Sequence, residues 1–137
     1  METTSASPSA PQFAAAGSFL EALAAQDFDL IARALEADAS MSALLPRGHD
    51  EWHGAGEIKD AFAGWFGDSE EFDVVDASVG QVGALVQLRW RVRMRAERRG
   101  PEVMVAEQHV YADFSPSGRI RSMRLLCSGF CTERSDA

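Results

Sequence analysis

Cysteine is scarce in this chain, and long apolar runs are missing. The two cysteines, Cys127 and Cys131, lie four positions apart at an expected strand end. Extended backbone would separate them by roughly 13 Å, too far for a disulfide, so we expect two reduced thiols. No run approaches the roughly 20 apolar residues of a membrane-spanning helix, so no membrane partner is expected. The opening METTSASPSAPQ lacks the positive start and apolar stretch of a secretory signal, which predicts a cytoplasmic protein.

Basic residues are also few. The chain has 13 Lys and Arg against 21 Asp and Glu, a formal net charge of -8. Nucleic-acid phosphates bind to a basic face, so this balance argues against a nucleic-acid partner. With 46% hydrophobic and 25% charged residues, the composition is that of a globular protein, and 137 residues can bury one core without disulfides.

Composition divides the chain into one domain and two tails. Residues 1–16 are rich in Ser, Ala, Thr and Pro, which is typical of a disordered N-terminal tail. Residues 17–130 carry the periodic apolar pattern of a single domain. Residues 131–137 are mostly polar or charged, and we expect them to form a frayed C-terminal tail.

The first half of the domain has a helical pattern. Ser18 is typical of a helix N-cap, and Glu21 three residues later completes a capping box. Apolar residues at helical spacing predict a second helix over 29–36. The elements predicted after it are a short strand over 41–45, a loop over 49–56 and a third helix over 57–66.

The second half has the pattern of β-strands. Runs rich in apolar and β-branched residues are separated by Gly- and Pro-containing turns at 99–101 and 115–118. The predicted strands span residues 71–79, 83–97, 103–114 and 119–130. Helices followed by a run of strands predict an α+β fold, in which a curved mixed β-sheet wraps around N-terminal helices.

The most regular pattern of the chain lies in the second of these strands, over residues 87–95. Arginine alternates there with large apolar residues, and a period of two marks a strand with one buried and one exposed face. The inner row is Leu88, Trp90, Val92 and Met94. The outer row is Arg89, Arg91, Arg93 and Arg95. Buried arginines would require an anionic ligand, so we expect the outer row on the sheet's outer surface, with a dimer interface or an anion site as alternatives.

A hairpin register arranges the side chains of the following strand. Placing Arg93 opposite Glu107 gives a favourable cross-strand pair on a polar face. The same register sets Trp90 against Val110 on an apolar face, which would line a pocket and pack on the helices. The residues that join this face from the last strand by alternation are Met123, Leu125 and Cys127.

Four short motifs, in this order and spacing, resemble a known superfamily. They are Phe19-Leu-Glu-Ala-Leu-Ala-Ala-Gln-Asp-Phe-Asp29, Ala37-Asp-Ala-Ser40, Gly54-Ala-Gly-Glu-Ile58 and Gly118-Arg-Ile-Arg-Ser-Met-Arg124. Over residues 17–130 the chain is similar to the nuclear-transport-factor-2-like superfamily, in particular its SnoaL-like and ketosteroid-isomerase-like members. The resemblance implies a cone-shaped α+β barrel with a deep apolar pocket, commonly in a homodimer.

The catalytic residues of known enzymes in this superfamily are not found at the matching positions. By the resemblance, the ketosteroid isomerase base corresponds to Ala43, the oxyanion tyrosine to Phe19, and the acidic hydrogen-bond donor to Val110. Limonene-epoxide-hydrolase-like enzymes need an aspartate on the last strand, which here reads Met123-Arg-Leu-Leu-Cys127. A SnoaL-like cyclase is the enzyme that these residues contradict least.

Polar candidates for catalysis are few. His53 lies in a Gly-rich stretch expected at the pocket mouth, and imidazole suits proton transfer near neutral pH. Gln108 and Asp76 are the other polar candidates. His109 and Tyr111 suit acid–base chemistry too, but the predicted register sends both to the outer face.

No metal or organic cofactor is expected. His49-Asp50-x-x-His53 has two histidines of the kind that bind metals, but it has no helical frame and no third convergent ligand. No residue is therefore expected to bind a metal. The residues expected to contact an apolar ligand are Phe19, Trp52, Phe62, Trp65, Trp90, Val92, Met94, Val110, Met123, Leu125 and Cys127.

Two functions fit this sequence. The first is a SnoaL-like cyclase, isomerase or dehydratase that acts on an apolar polycyclic or polyketide-like substrate through shape, desolvation and one proton-transfer group. The second is a non-catalytic domain that binds an apolar ligand or dimerises. An enzyme should project a carboxylate or imidazole into its cavity, whereas a binding protein needs at most a neutral anchor such as Gln108.

Overall fold

A computed structural model describes residues 10–133 of the chain, which form three helices and seven strands. The helices are α1 (Ala10–Ala24), α2 (Phe28–Arg33) and α3 (Ala55–Phe66). The strands are β1 (Leu35–Leu45), β2 (Gly48–His53), β3 (Glu71–Val82), β4 (Leu85–Arg95), β5 (Met104–Phe114), β6 (Ile120–Cys127) and β7 (Cys131–Thr132). A 3₁₀ turn, Glu97–Arg99, connects β4 to β5.

Side-chain caps determine where the shorter helices begin. The Asp27 carboxylate accepts a hydrogen bond from the backbone N–H of Leu30 at 3.0 Å and caps α2. Before α3, Glu57 Oε1 accepts the N–H of His53 at 2.9 Å. The N-cap of α3 is Gly54, whose φ of 94° is strained for any residue with a Cβ. These contacts set the direction in which α3 leaves β2.

The sheet brings distant parts of the chain together. Its strand order is β2-β1-β6-β5-β4-β3, and β7 is added to β5. β1 and β6 pair in parallel with Met41 opposite Met123, and the other neighbours are antiparallel. The predicted α+β class, with a curved mixed sheet around N-terminal helices, is confirmed. The sheet is open, with β2 and β3 at its edges, rather than closed into a barrel.

The core lies between the helices and the inner face of the sheet. Phe19 of α1, Phe62 of α3 and Trp90 of β4 are all fully buried. Their ring centroids lie 5.8 Å apart for Phe19–Phe62 and Phe19–Trp90, and 6.1 Å apart for Phe62–Trp90. Each such aromatic contact contributes about 0.5–1.5 kcal/mol beyond the burial of area. This cluster fixes α1 and α3 against β4.

The first helix is longer than its capping signal predicts. α1 runs from Ala10, so Ser18 lies inside the helix and the predicted N-cap is wrong. Residues 10–16, expected in the N-terminal tail, belong to α1, and residues 1–9 lie outside the described part. The alanines of this stretch have high helix propensity, and Ala16 packs in the core at 0% exposure.

Residues 48–53 form β2, where the sequence pattern predicts a loop. β2 is an edge strand paired with β1, and most of its side chains are exposed, so it has no apolar alternation. The two-residue turn Pro46-Arg47 brings Gly48 opposite Leu45. Proline suits the first turn position because its φ is already fixed near the required value.

Two other boundaries differ from the predictions. The second helix ends at Arg33, and β1 already begins at Leu35 inside the helix predicted over 29–36. Near the C-terminus, Cys131–Thr132 pairs with β5 as β7, although it was expected in the tail. Residues 134–137 lie outside the described part.

The β4–β5 register is two residues away from the predicted one. Arg91, rather than Arg93, lies opposite Glu107. The prediction assumed a tight turn, whereas the connection is broad and contains the 3₁₀ turn. Because a shift of two residues keeps every side chain on its face, the predicted inner and outer rows are confirmed.

Candidate ligand-binding site

The residues predicted to line an apolar pocket fall into two groups. Those with 0–2% exposure pack as core, namely Phe19, Phe62, Trp90, Val92, Met94, Val110, Met123 and Leu125. The others are partly buried against that core, namely Trp52, Trp65 and Cys127. The second group therefore contains the positions that a ligand can reach from solvent.

A buried amide lies within the core. Gln108 is 0% exposed and lies opposite Trp90 in the β4–β5 register. The Trp90 indole N–H donates to Gln108 Oε1 at 2.8 Å, and Gln108 Nε2 donates to Cys127 Sγ at 3.3 Å. Thiol sulfur is a weak acceptor, so a ligand oxygen at that position would bind the amide N–H more strongly. Over residues 10–133, the buried polar side chains are Gln108 and Ser115, both neutral.

A cleft of about 310 Å³ lies next to Cys127. We call it the mouth cleft; its lining residues are Leu45, Pro46, Arg47, Trp65, Arg99, Cys127, Gly129 and Phe130. They come from the ends of β1 and β6, the last turn of α3, and the turns that follow β1 and β4. The volume is at the lower end of the ~300–1,000 Å³ that is typical of small-molecule sites.

Aromatic side chains form apolar walls of the mouth cleft. The Trp65 ring lies 5.2 Å from Phe62 and 5.7 Å from Trp52, both in edge-on contacts. The Phe130 ring lies 6.2 Å from Phe66. The walls are therefore continuous with the core, and the packing of α3 holds Trp65 in place.

A glycine lets the chain after β6 reach the cleft. Gly129 has a φ of 82°. A Cβ at this position would lie 2.6 Å from Pro46 Cγ. The segment that carries Phe130 can pass this close to the β1–β2 turn because no side chain intervenes.

Arg99 brings positive charge into the mouth cleft. Its guanidinium carbon lies 3.7 Å from the Phe130 ring centroid, and Nη2 donates a long hydrogen bond of 3.5 Å to the Trp65 carbonyl. Its Nε is buried and has no hydrogen-bond partner among the described residues. Burial, followed by repulsion from Arg98, lowers the pKa of Arg99 from its ordinary value. The charge is thus partly desolvated, and no carboxylate within residues 10–133 neutralises it.

The neighbouring Arg98 fixes the β4–β5 turn against α3. Its Nη2 donates to the carbonyls of Gly64 at 2.8 Å, Gly67 at 3.0 Å and Trp65 at 3.3 Å. Carbonyls at the end of a helix have no partner within the helix, and a cation is favourable there. The backbone that carries Arg99 is therefore anchored to the helix that carries Trp65.

The outer arginine row is paired with carboxylates. The pairs are Arg89–Asp76 at 2.6 Å, Arg91–Glu107 at 2.9 Å, Arg93–Glu133 at 2.8 Å, Arg95–Glu70 at 2.6 Å and Arg95–Glu71 at 3.0 Å. The first of these hydrogen bonds lowers the pKa of Asp76 from its ordinary value. Asp113, on the neighbouring strand β5, pairs with Arg121 of β6 at 2.9 Å.

The three polar candidates for catalysis do not come together. Gln108 lies in the core, whereas Asp76 is exposed on β3 and holds Arg89. His53 ends the edge strand β2 with a side chain 74% exposed, and it lines a polar groove beside Glu51 instead of the mouth cleft. His53 therefore lies outside the mouth cleft, and its role at a pocket mouth stays a prediction.

A second concavity of about 460 Å³ lies on the outer side of β5 and β6. Its polar groups, Arg91, Glu107 and His109, already satisfy one another, with Glu107 2.9 Å from Arg91 and 2.8 Å from His109. These groups are paired with one another, whereas the mouth cleft has aromatic walls and an unpartnered buried donor, Arg99 Nε, so we favour the mouth cleft as the binding site.

Sequence reasoning missed Arg47 and Arg99. Both stand in turns, where a polar residue is usually solvated, and neither belongs to a periodic pattern. A usable signal was the arginine pair 98–99 at the end of an apolar strand, close to the turn that ends at Gly100. The ends of β1, β4 and β6 meet only in the folded sheet, so their convergence cannot be read from spacing.

Two further findings concern metals and membranes. No group of three or more His, Cys, Asp or Glu side chains within residues 10–133 is arranged to hold a metal ion. In the same part of the chain, no helix is both long and apolar enough to cross a membrane.

Comparison with solved structures shows the fold. The chain is similar to an epoxide hydrolase of the limonene-epoxide-hydrolase-like type from M. tuberculosis, with 22% identity, coverage of 86% of this chain and 83% of that one, and a TM-score of 0.65. It is similar to a proposed SnoaL-like polyketide cyclase from Shewanella denitrificans, with 16% identity, coverage of 88% and 92%, and a TM-score of 0.67. A steroid delta-isomerase from Pseudomonas aeruginosa gives 17% identity, coverage of 90% and 83%, and a TM-score of 0.61.

Sequence comparison identifies the family. Among curated proteins, none matches the chain significantly. The family model of the SnoaL-like domain matches residues 16–123, which run from the second half of α1 to the first half of β6. The resemblance inferred from the four sequence motifs is therefore confirmed, and the chain belongs to the SnoaL-like domain family.

Proposed function

We propose that this protein binds an apolar small molecule in the mouth cleft, with the Cys127 thiol, held from behind by the neutral buried amide of Gln108, as its polar group. The main observation behind the proposal is that Cys127 connects the cleft to the buried hydrogen bonds that run through Gln108 to Trp90. Trp65 and Phe130 offer apolar faces, and Cys127, which lines the cleft, accepts a hydrogen bond from Gln108. A largely apolar site with few polar groups is typical of small-molecule binding.

Family membership and structural neighbours support an apolar polycyclic or polyketide-like ligand. The neighbours include proteins named as a polyketide cyclase and a steroid delta-isomerase. A neutral buried anchor fits the binding function better than an enzyme, which should project a carboxylate or imidazole inward.

Binding can be tested with neutral aryl carboxamides of one, two and three fused rings. We expect at least one to bind, as measured by isothermal titration calorimetry, and Trp65→Ala to weaken its binding by about 10-fold or more, since an aromatic wall is lost. Trp52→Ala is the matched control, because Trp52 contacts Trp65 but does not line the cleft. If neither these carboxamides nor the matching naphthalene-2-carboxylate binds, or if Trp65→Ala binds as tightly as the wild type, the proposal is wrong.

Catalysis is a second candidate function, favoured by the position of Cys127. As a thiolate, Cys127 can take a proton from a C–H next to a carbonyl, and the thiol so formed can return it. Gln108 Nε2 donates to the sulfur at 3.3 Å and holds it in position. The cyclase, isomerase or dehydratase chemistry expected from the sequence would need such a proton transfer.

Proton transfer can be measured without knowing the substrate. In D₂O, NMR would follow replacement of the C–H next to the carbonyl of 2-tetralone by C–D. Catalysis predicts faster exchange with the wild type than with Cys127→Ala, while His53→Ala and Asp76→Asn behave as wild type. Exchange at the buffer rate would leave binding as the function.

The expected homodimer stays a prediction, as do the cytoplasmic location and the lack of a nucleic-acid partner. Leu44 and Leu126 lie opposite each other on β1 and β6 and are 53% and 46% exposed. An apolar pair on the outer face suits a contact between copies. Light scattering of the wild type and of Leu126→Lys would test it, with a dimer expected for the first and a monomer for the second.

A further inference from the structure

The lining of the mouth cleft is positively charged, although the protein is acidic. Its charged side chains are Arg47 and Arg99, and the lining contains no Asp or Glu. The whole chain carries a net charge of -8. A cation-lined concavity in an acidic protein attracts anions locally, because low-dielectric walls focus the field of the charges that line them.

Arg99 also has unused hydrogen-bonding capacity. Its Nε is buried and unpartnered among the described residues, and its Nη2 makes a single long contact with the Trp65 carbonyl. Nε–H and Nη2–H lie on one edge of the planar guanidinium and match the two oxygens of a carboxylate. A buried donor without an acceptor is unfavourable, so a ligand that supplies one gains affinity.

We propose that the ligand of the mouth cleft is an apolar carboxylate, which Arg99 binds through this edge while the apolar body lies against Trp65 and Phe130. The inference rests on the proposed function, since it names the chemistry of the ligand at the same site. Arg98 holds the turn to α3 through three carbonyls, so the guanidinium of Arg99 is positioned before the ligand arrives. Preorganisation of this kind reduces the ordering cost of binding.

The test uses two probes of the same shape and different charge, naphthalene-2-carboxylate and naphthalene-2-carboxamide. Charge-assisted bidentate hydrogen bonds predict that the wild type prefers the carboxylate by about 10- to 100-fold. Arg99→Met should lose this preference, so that the two probes bind with similar affinity. Arg124→Met is the matched control, because it removes the same charge from an exposed position outside the cleft.

The outcomes separate this inference from the proposed function. Equal affinity of the wild type for both probes would overturn the carboxylate inference and leave binding in place. Failure of both probes and of the wider carboxamide series would overturn both. A preference that survives in Arg99→Met would show that Arg99 does not select the anion, and it too would overturn the inference.

A measurement on the wild type covers the case in which Arg99→Met does not fold. In ¹H–¹⁵N spectra of arginine side chains, the carboxylate should shift the Arg99 Nε–H signal strongly and the carboxamide should not. Arg99→Lys keeps the charge but not the planar edge, so it should retain only part of the preference. An unshifted Nε–H signal at saturating carboxylate would contradict the proposal.

Discussion

The outer arginine row of β4 and Arg99, in the turn that follows, use the same side chain in opposite settings. Arg89, Arg91, Arg93 and Arg95 each hold a carboxylate on the outer face. Arg99 lies over Phe130, with a buried Nε and no carboxylate in the described part of the chain. A paired charge on a solvated face contributes little to the stability of the fold. A desolvated, unpaired charge destabilises the fold unless a ligand neutralises it. The difference points to function at Arg99 and to ordinary surface chemistry along the row.

The inner face of β4 should produce the largest effect on stability. Trp90→Ala removes a fully buried ring from its contacts with Phe19 and Phe62, and it leaves Gln108 Oε1 without its donor. We expect the free energy of unfolding to fall by about 3–5 kcal/mol. Urea denaturation followed by circular dichroism measures it, and a loss below about 1 kcal/mol would contradict the packing described.

The buried amide should have an intermediate effect. Gln108→Leu keeps the volume but leaves the Trp90 indole N–H without an acceptor, which should cost about 1–3 kcal/mol. Trp90→Phe removes the donor instead. In the double variant the two losses should be less than additive, because no polar group remains unsatisfied. Strict additivity in urea titrations of the four proteins would show that the two side chains are not coupled.

The ion pairs on the outer face should make the free energy of unfolding depend on pH in the acid range. The hydrogen bond with His109, and then that with Arg91, lowers the pKa of Glu107 below its ordinary value of 4.5. A folded-state pKa below the unfolded one stabilises the protein above about pH 4.5, and this contribution is lost as pH falls through the folded value. The stability advantage of the wild type over Glu107→Gln should therefore shrink between about pH 5 and pH 3. A constant difference across that range would be evidence against the pairing.

A single outer pair should have the smallest effect. Arg91→Ala removes one exposed partner of Glu107, and we expect the free energy of unfolding to change by less than about 1 kcal/mol. The change should diminish further in about 0.5 M salt, since screening weakens exposed pairs. A larger loss that does not depend on salt would mean that Arg91 stabilises the protein mainly through the packing of its aliphatic stem and not through its charge.

The sequence predicts the faces of the sheet better than its connections. Alternation along residues 87–95 assigns Trp90 inward and Arg91 outward whatever the turn does, because a shift of two residues keeps parity. The register itself depends on the β4–β5 turn, and a broad turn with a 3₁₀ segment has no strong local signal. The strand β2 could not be predicted for a related reason, because an exposed edge strand has no buried row of side chains to produce an alternating apolar pattern.

The candidate site could be predicted only in part. The apolar character of Trp65 on the third helix and of Cys127 on the last strand predicts contact with a ligand, and both residues line the mouth cleft. Arg99 could not be predicted in this way, because its environment is made by Phe130 and by the end of α3, which lie far from it in sequence. Contacts between segments so distant in the chain depend on how the sheet curves around the helices, and the periodicity of the sequence does not predict this curvature.

The parallel pairing of β1 with β6 has a consequence for synthesis on the ribosome. While the nascent chain grows, β1 can pair with β2, but its other edge has no partner until β6 has emerged. Cys127 ends β6, and Gly129 and Phe130 follow it, so the mouth cleft cannot form before residue 130 has left the ribosome. An unpaired strand edge is prone to association with other chains, and β1 keeps such an edge until β6 has emerged. A metabolite that binds the cleft would therefore stabilise the domain only after β6 and the segment that follows it have folded. It would act as a natural pharmacological chaperone.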